Sequence, residues 1–309
     1  MTGSRERPLA AEQLLTGYNV VMVLIWAVFI AKAPYAPWLL LAHAAAMALP
    51  WLFARAMPTA GRPLRFLREL NPLLFLAVFW LELDLVRPVL GLTGIDGPVA
   101  ALDRLMAGGA HLHQVWLPAM HGRWFSETMY GLYWAYYVAV YVPPIVLALM
   151  ARHEPVRDMV FRLVLVYLGC YLVFIAFPVD GPHFLEPPYQ GPHTAGFFYG
   201  LVESAQGFGD SRGCSFPSSH VAAAVMGAML GWRWLPRWMA VLLWIEAVGV
   251  LLSTCYTQHH YAIDSVTGFA WAVGAWYLAG PLGRWIGATG SHPTAQPLWG
   301  SVRRAEGRG

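Results

Sequence analysis

A histidine at the start of an apolar stretch is the first residue whose setting predicts chemistry. His220 ends the run CSFPSSH at 214–220, and the residues that follow are small and apolar. Ser218 and Ser219 are helix-capping types, so the run predicts a helix whose first turn holds His220. The unpaired N–H groups and partial positive charge of a helix N-terminus favour the binding of an anion.

A second histidine has an aspartate four residues further along the chain. His260 and Asp264 would share one face of a helix and lie within reach of each other. A carboxylate on one imidazole nitrogen fixes the tautomer and makes the other nitrogen more basic. This spacing favours a histidine that acts as a nucleophile or a base.

The elements that position these residues are predicted to lie in a membrane. Of the 309 residues, 58% are hydrophobic and 12% are charged, whereas roughly a quarter of a soluble domain is charged. This composition argues against a disordered protein, a nucleic-acid binder and an ordinary cytosolic enzyme. We therefore expect an all-α fold, a polytopic integral membrane bundle of helices.

Eight stretches of the chain are long and apolar enough to be predicted as spans, since a spanning helix needs about 20 mostly apolar residues. The third stretch also contains Glu82, Asp84 and Arg87. These three residues form either a structural ion-pair cluster or part of a polar substrate groove. The predicted spans are about 15–33, 37–57, 70–92, 128–150, 160–178, 218–235, 238–257 and 262–286.

The distribution of basic residues predicts the orientation, because cytoplasmic loops carry an excess of Lys and Arg. Both termini are then cytoplasmic, and segments 93–127 and 179–217 lie outside. His220 and His260 fall at the same outer face, and we expect a bacterial inner or plasma membrane with an extracytoplasmic site. Of the 20 basic residues, five lie on the outer side: Lys32, Arg87, Arg104, Arg123 and Arg212.

The two motifs together resemble a known family of membrane enzymes. The run PSSH at 217–220 and the pattern S-x6-H-x3-D at 253–264 resemble the type 2 phosphatidic acid phosphatase superfamily. The segment HHYAID at 259–264 is most similar to the inositolphosphotransferase branch, which includes the inositol phosphorylceramide synthases. The resemblance covers the chain from about residue 90 onward.

This resemblance implies a role for each motif residue. His260 attacks phosphorus and forms a phosphohistidine, Asp264 orients it, and His220 protonates the leaving alkoxide. Ser218 and Ser219 hold the phosphoryl oxygens together with backbone amides. The substrate is a phospholipid or a lipid phosphate in the bilayer, and no nucleic acid is involved.

The chain divides accordingly into three regions. Residues 1–92 form N-terminal transmembrane helices, and residues 93–286 form the phosphatase- or phosphotransferase-like catalytic domain. Residues 287–309 are polar and predicted to be a flexible tail.

Two departures from the family pattern concern the cations that bind phosphate. Thr254 stands where the superfamily has an arginine, and Arg87-Pro88 lacks the lysine that belongs to the first motif. We therefore predict Arg212 as the phosphate-binding cation, with Arg123 as the second candidate. With these residues, we expect the reaction to need neither a metal nor a cofactor.

Several alternatives stay open on the sequence alone. The acceptor is either a lipid alcohol, which makes a transferase, or water, which makes a polyprenyl or phosphatidate phosphatase. A transporter and a bis-histidine haem protein are further alternatives, and the oligomeric state is not predicted. Cys214 and Cys255 either pair or are buried thiols. The histidines at 111, 113, 121, 183 and 193 are interpreted as loop residues without metal-ligand spacing.

Overall fold

The computed structural model describes residues 7–120 and 122–287. Within these residues the chain forms α-helices and two 3₁₀ helices, at Met57–Thr59 and Pro192–Ala195. The α-helices are α1 (Ala10–Val28), α2 (Ala36–Ala56), α3 (Arg62–Leu90), α4 (Asp96–Met106), α5 (Leu112–Ala119), α6 (Arg123–Leu149), α7 (His153–Ala176), α8 (Pro182–Leu185), α9 (Phe197–Gly209), α10 (Ser219–Trp234), α11 (Arg237–Tyr256) and α12 (Ala262–Trp285).

The prediction of an all-α fold is confirmed for the described residues, whose β contact is an isolated bridge between Val179 and Cys214. A long helix coincides with most of each of the eight stretches predicted to span the membrane, although α1 ends at Val28, before the predicted end at 33. Among the described residues, five segments are long and apolar enough to cross a membrane, and they contain α1, α2, α6, α7 and α11. The predicted C-terminal tail lies, from residue 288 onward, outside the described residues.

The polar residues of α3 divide between a structural role and contact with the outer loops. Glu82 Oε1 accepts a hydrogen bond from Trp26 Nε1 at 2.6 Å and contacts His43 Nε2 at 2.7 Å. These contacts join α1, α2 and α3 inside the bundle, so Glu82 has a structural role, but its partners are not the predicted Asp84 and Arg87. Arg87 instead reaches the loop after α7, where its Nη1 lies 2.6 Å from Asp180 Oδ1.

The segment between α3 and α6 supports the start of α12. Buried side chains of α4 pack with Val179, Tyr261 and Ile263 in one apolar cluster. Asp103 Oδ1 accepts a hydrogen bond from the backbone N–H of Ile263 at 3.2 Å, and its other oxygen lies 2.7 Å from His111 Nδ1. Asp103 thus satisfies one of the free amides at the N-terminus of α12.

Small residues let the helices approach α10 closely. A Cβ at Gly231 would lie 2.5 Å from the Leu243 side chain of α11. A Cβ at Gly268 of α12 would collide with the carbonyl oxygen of Ser218, just before α10. The N-terminus of α10 therefore rests directly on the first turns of α12.

Candidate active site

The N-termini of α10 and α12 meet at one end of the bundle. Ser218 is the N-cap of α10, as predicted, and its Oγ accepts a hydrogen bond from the N–H of Val221 at 3.4 Å. The N–H of Ser218 donates to the carbonyl of Asp264 at 2.9 Å. This bond and the close contact at Gly268 bring the two sequence motifs together, although more than 40 residues separate His220 from Asp264.

His260 has a polar partner on each side of its ring. Its Nδ1 lies 3.1 Å from Ser215 Oγ and 3.5 Å from Asp264 Oδ2. Its Nε2 lies 3.3 Å from Ser218 Oγ. All four side chains are buried, so the orientation of the imidazole is determined by protein contacts.

Ser215 decides which nitrogen of His260 holds the proton. Its hydroxyl donates to Asp264 Oδ2 at 2.5 Å, because a carboxylate can only accept. The hydroxyl oxygen of Ser215 therefore accepts a hydrogen bond from His260 Nδ1–H. The N–H of Tyr261 also donates to Asp264 Oδ2, at 3.0 Å. His260 Nε2 is left with its lone pair, which is the form that a nucleophile requires.

His220 is the second imidazole at this point. Its ring centroid lies 6.0 Å from that of His260, and its ring packs against Tyr136 at 4.6 Å and Tyr133 at 5.2 Å. The two rings are neighbours and are inclined at 64° to each other. The structure thus brings together His220, His260 and Asp264, as the sequence predicted.

A cavity of about 310 Å³ opens beside these residues. One wall is made of six tyrosines of α6 and α7. The other wall is polar and is formed by the connecting segments at this end of the bundle and by the start of α10. Ser219, His220 and His260 belong to the polar wall. The tyrosines are Tyr133, Tyr136, Tyr137, Tyr141, Tyr167 and Tyr171.

Arg212 lies outside the lining of this cavity. Its guanidinium contacts Asp180 Oδ2 at 3.4 Å and stacks 4.7 Å from the centroid of the Phe184 ring. Asp180 is shared with Arg87. Arg123 is the first residue of α6 and also lies outside the lining. The phosphate-binding role of Arg212 stays a prediction, and among the described residues that line the cavity there is no arginine or lysine.

Thr254 has a packing role at the position where the superfamily has arginine. It is fully buried, and its Oγ1 lies 2.9 Å from Ser265 Oγ of α12. Cys255 is a free buried thiol that also contacts Ser265, at 3.4 Å, and Cys214 is a second free buried thiol. Of the two alternatives for these cysteines, the structure therefore shows two buried free thiols.

Three polar residues of the cavity have no role in the sequence-based site. His183 Nε2 forms an ion pair with Asp210 Oδ2 at 3.3 Å, although the angles do not make it a hydrogen bond. The ring of His183 stacks on that of His259, with centroids 4.7 Å apart. The sequence interprets His183 as a loop histidine, whereas it lies in the short helix α8. The sequence signal that it belongs to the site is its position directly after a predicted span, in a segment predicted to lie outside.

The other loop histidines have separate partners. His111 contacts Asp103 at 2.7 Å, and His113 Nε2 contacts Glu186 at 2.9 Å. His121 lies outside the described residues.

We expect Ser215→Ala to lower the turnover number about ten- to a hundredfold. The change leaves Nδ1–H of His260 and one oxygen of Asp264 without their shared partner, and an unmade buried hydrogen bond costs about 1–3 kcal/mol. Rates of product formation at saturating substrate measure the effect. Ser204→Ala is the matched control, because Ser204 is exposed on α9 and bonds only to the carbonyl of Gly200. Equal rates for both variants would show that Ser215 does not orient His260.

Comparison with known proteins agrees with this geometry. A family model described as the PAP2 superfamily matches residues 99–278, which is more than half of the chain. No curated protein and no solved structure matches this chain. The matched region includes His220, His260 and Asp264, and excludes α1–α3. The chain therefore belongs to the type 2 phosphatidic acid phosphatase (PAP2) superfamily and is a phosphoesterase of that kind.

Proposed function

We propose that this protein is a membrane lipid phosphotransferase or phosphatase that acts through a phosphohistidine on His260. The observation that supports this most directly is the bonding of His260, whose Nδ1 is held by Ser215 and Asp264 while Nε2 faces the side of Ser218. His220 lies one ring away on the same cavity. Superfamily membership favours such an enzyme over the carrier and haem alternatives.

In the first half-reaction His260 takes the phosphoryl group from the lipid. The lone pair of Nε2 forms a bond to phosphorus while the bond between phosphorus and the leaving oxygen breaks. That oxygen takes a proton from His220, and the positive charge that develops on His260 is stabilised by Asp264. The N–H groups at the start of α10 and the hydroxyls of Ser218 and Ser219 bind the phosphoryl oxygens.

In the second half-reaction an acceptor hydroxyl takes the phosphoryl group from His260. The acceptor oxygen bonds to phosphorus from the position that the leaving oxygen occupied, and its proton returns to His220. An alcohol acceptor makes the protein a transferase, and water makes it a phosphatase. A cavity of about 310 Å³ has room for an alcohol, which supports a transferase of the inositolphosphotransferase kind as the first candidate.

Lipid is proposed to enter from the side of the bundle. Leu81 of α3 and Tyr137 of α6 line the cavity. Their side chains are also 57% and 40% exposed on the outer surface of the helices. An opening between α3 and α6 would let a phosphate ester reach His260 while its acyl chains stay in the bilayer.

A substrate panel tests the proposed function. The purified protein is offered phospholipids and lipid phosphates, each with and without alcohol acceptors, and released phosphate is separated from newly formed lipid. A transferase yields new lipid only when acceptor is present, whereas a phosphatase releases phosphate in water alone. The same panel with His260→Ala supplies the blank. A wild-type protein that transforms none of these esters beyond that blank would contradict the proposal.

We further propose that all eight long helices cross a bacterial inner or plasma membrane, with both termini cytoplasmic and the site on the extracytoplasmic side. Five of them are apolar enough by length and composition, and α3, α10 and α12 complete the count. Arg233 in the last turn of α10 and Arg237 at the start of α11 lie at the opposite end of α10 from His220. The excess of basic residues in cytoplasmic loops supports placing that end in the cytoplasm.

Labelling with a membrane-impermeant thiol reagent checks this orientation. In intact cells we expect Gln190→Cys to be modified and Arg237→Cys to be protected until the membrane is opened. Both positions are exposed, and the parent chain controls for its three buried thiols. Modification of residue 237 alone would invert the orientation and place the substrate in the cytoplasmic leaflet.

A further inference from the structure

We propose that His183, ion-paired with Asp210, is the cation that binds the phosphate group of the substrate, and that His259 donates a hydrogen bond beside it. This inference rests on the proposed function insofar as the cavity receives a phosphate ester. It assigns to His183 of α8 and to His259, just after α11, the role that the sequence predicts for Arg212.

The negative charge of a bound phosphate ester has to be balanced by a group of the cavity. A phosphate ester that leaves water needs an opposite charge and hydrogen-bond donors around it. The described lining of the cavity has no arginine or lysine, and its nitrogen-bearing side chains are, apart from Trp80 and Gln206, imidazoles. Among the described lining residues, an imidazole is therefore the side chain that can supply a positive charge.

His183 is the imidazole whose surroundings attract a positive charge. The Asp210 carboxylate lies 3.3 Å from its Nε2. Burial raises the pKa of Glu203 of α9, and the nearby His183 acts against that shift. The third titratable neighbour is His259, which stacks on His183. With Nε2 turned to Asp210, Nδ1 is the second donor of the imidazolium.

Asp210 also relates His183 to the nucleophile. Burial raises the pKa of Asp210, and both His183 and His260 act against that shift. The carboxylate of Asp210 thus interacts electrostatically with both imidazoles, and all three residues line the same cavity. His220 packs against the tyrosines that line the same cavity. It therefore remains available to protonate the leaving oxygen.

His259 has a buried donor or acceptor atom that the protein does not use. Its Nδ1 bonds to Thr257 Oγ1 at 2.8 Å, while its Nε2 is buried and has no hydrogen-bond partner among the described residues. The side chain is 8% exposed and lines the cavity. An unsatisfied buried group of this kind needs a partner, and a phosphoryl oxygen is one.

The protonation state of His259 suits a hydrogen bond rather than an ion pair. Burial, and then the neighbouring imidazoles of His183, His260 and His220, hold its pKa well below the usual range. A neutral imidazole whose Nε2 carries the proton can donate one hydrogen bond to an oxygen. The positive charge is therefore assigned to His183 and the second donor to His259.

The test measures binding of inorganic phosphate separately from turnover. Calorimetric titration of the purified full-length protein with inorganic phosphate gives a Kd for the wild type and for each variant. We expect His183→Gln to weaken phosphate binding about tenfold to a hundredfold, since hydrogen bonds to charged groups are the stronger ones. His183→Arg should restore binding to within a few-fold of the wild type, because a guanidinium supplies the same charge.

A histidine on the opposite end of the bundle provides the matched control. His153 contacts Glu69 at 3.0 Å and its side chain is 45% exposed, so His153→Gln removes a histidine–carboxylate pair far from the cavity. It should leave the phosphate Kd and the turnover unchanged. Thermal unfolding of each variant shows whether it is folded, and the rescue by arginine distinguishes loss of charge from loss of structure.

The outcomes separate this inference from the proposed function. Weakened binding in His183→Gln that arginine restores supports the inference, whatever the result of the lipid panel. Unchanged binding in His183→Gln, or loss that arginine does not restore, overturns it even if the enzyme turns over lipids. Loss of binding in Arg212→Gln with full binding in His183→Gln would assign the charge to Arg212 and overturn it as well.

Discussion

We expect His260→Ala to abolish turnover of every phosphate ester that the wild-type protein accepts, by roughly 10⁴-fold or more. The loss removes the atom that bonds to phosphorus, and no other imidazole of the cavity has a nitrogen held by both a serine and a carboxylate. The measurement is product formation from radiolabelled substrate. Phosphoenzyme, quenched at alkaline pH to preserve the bond between phosphorus and nitrogen, should be present in the wild type and absent in the variant.

Asp264→Asn provides the graded companion to this change. The amide keeps the shape of the side chain but no longer stabilises a positive His260, and it can hold the ring in the wrong tautomer. We expect a loss of about 10²–10⁴-fold, smaller than that of His260→Ala. His153→Ala, at the other end of the bundle, is the control for removal of a histidine. Phosphoenzyme formation in His260→Ala would place the nucleophile elsewhere and refute the mechanism.

His220→Gln is also expected to have a large effect, a loss of about 10²–10⁴-fold with a lipid substrate. The reason is that an alkoxide is a poor leaving group unless it takes a proton as its bond to phosphorus breaks. The loss should therefore depend on the leaving group. An aryl phosphate ester, whose leaving oxygen needs no proton, should retain far more of its rate than the lipid does.

Comparing the two substrates on one preparation separates catalysis from folding. A variant that is simply misfolded loses both activities in the same proportion, whereas loss of a general acid affects the lipid alone. Gel filtration in detergent and thermal unfolding complete the control. If His220→Gln lowered both rates equally while remaining folded, His220 would be assigned to binding and not to proton transfer.

Much of this protein follows from its sequence because the interactions involved are local. Long apolar stretches form helices wherever backbone groups must bond within their own segment, so the helices occur where composition predicts them. Ser218 caps α10 because a capping side chain needs only the amides two and three residues after it. His260 and Asp264 lie together because a separation of four residues brings them to one side of a helix start.

The contacts that complete the site join residues far apart in the chain, and only the tertiary structure decided them. Ser215 lies between His260 and Asp264 across separations of 45 and 49 residues, and no local pattern indicates such a contact. Arg212 is outside the cavity lining, although its partner Asp180 belongs to it, and His183 also lies within that lining. Which loop side chain faces a cavity depends on how the loop packs on the helices beneath it, and irregular segments have no periodicity from which that can be read.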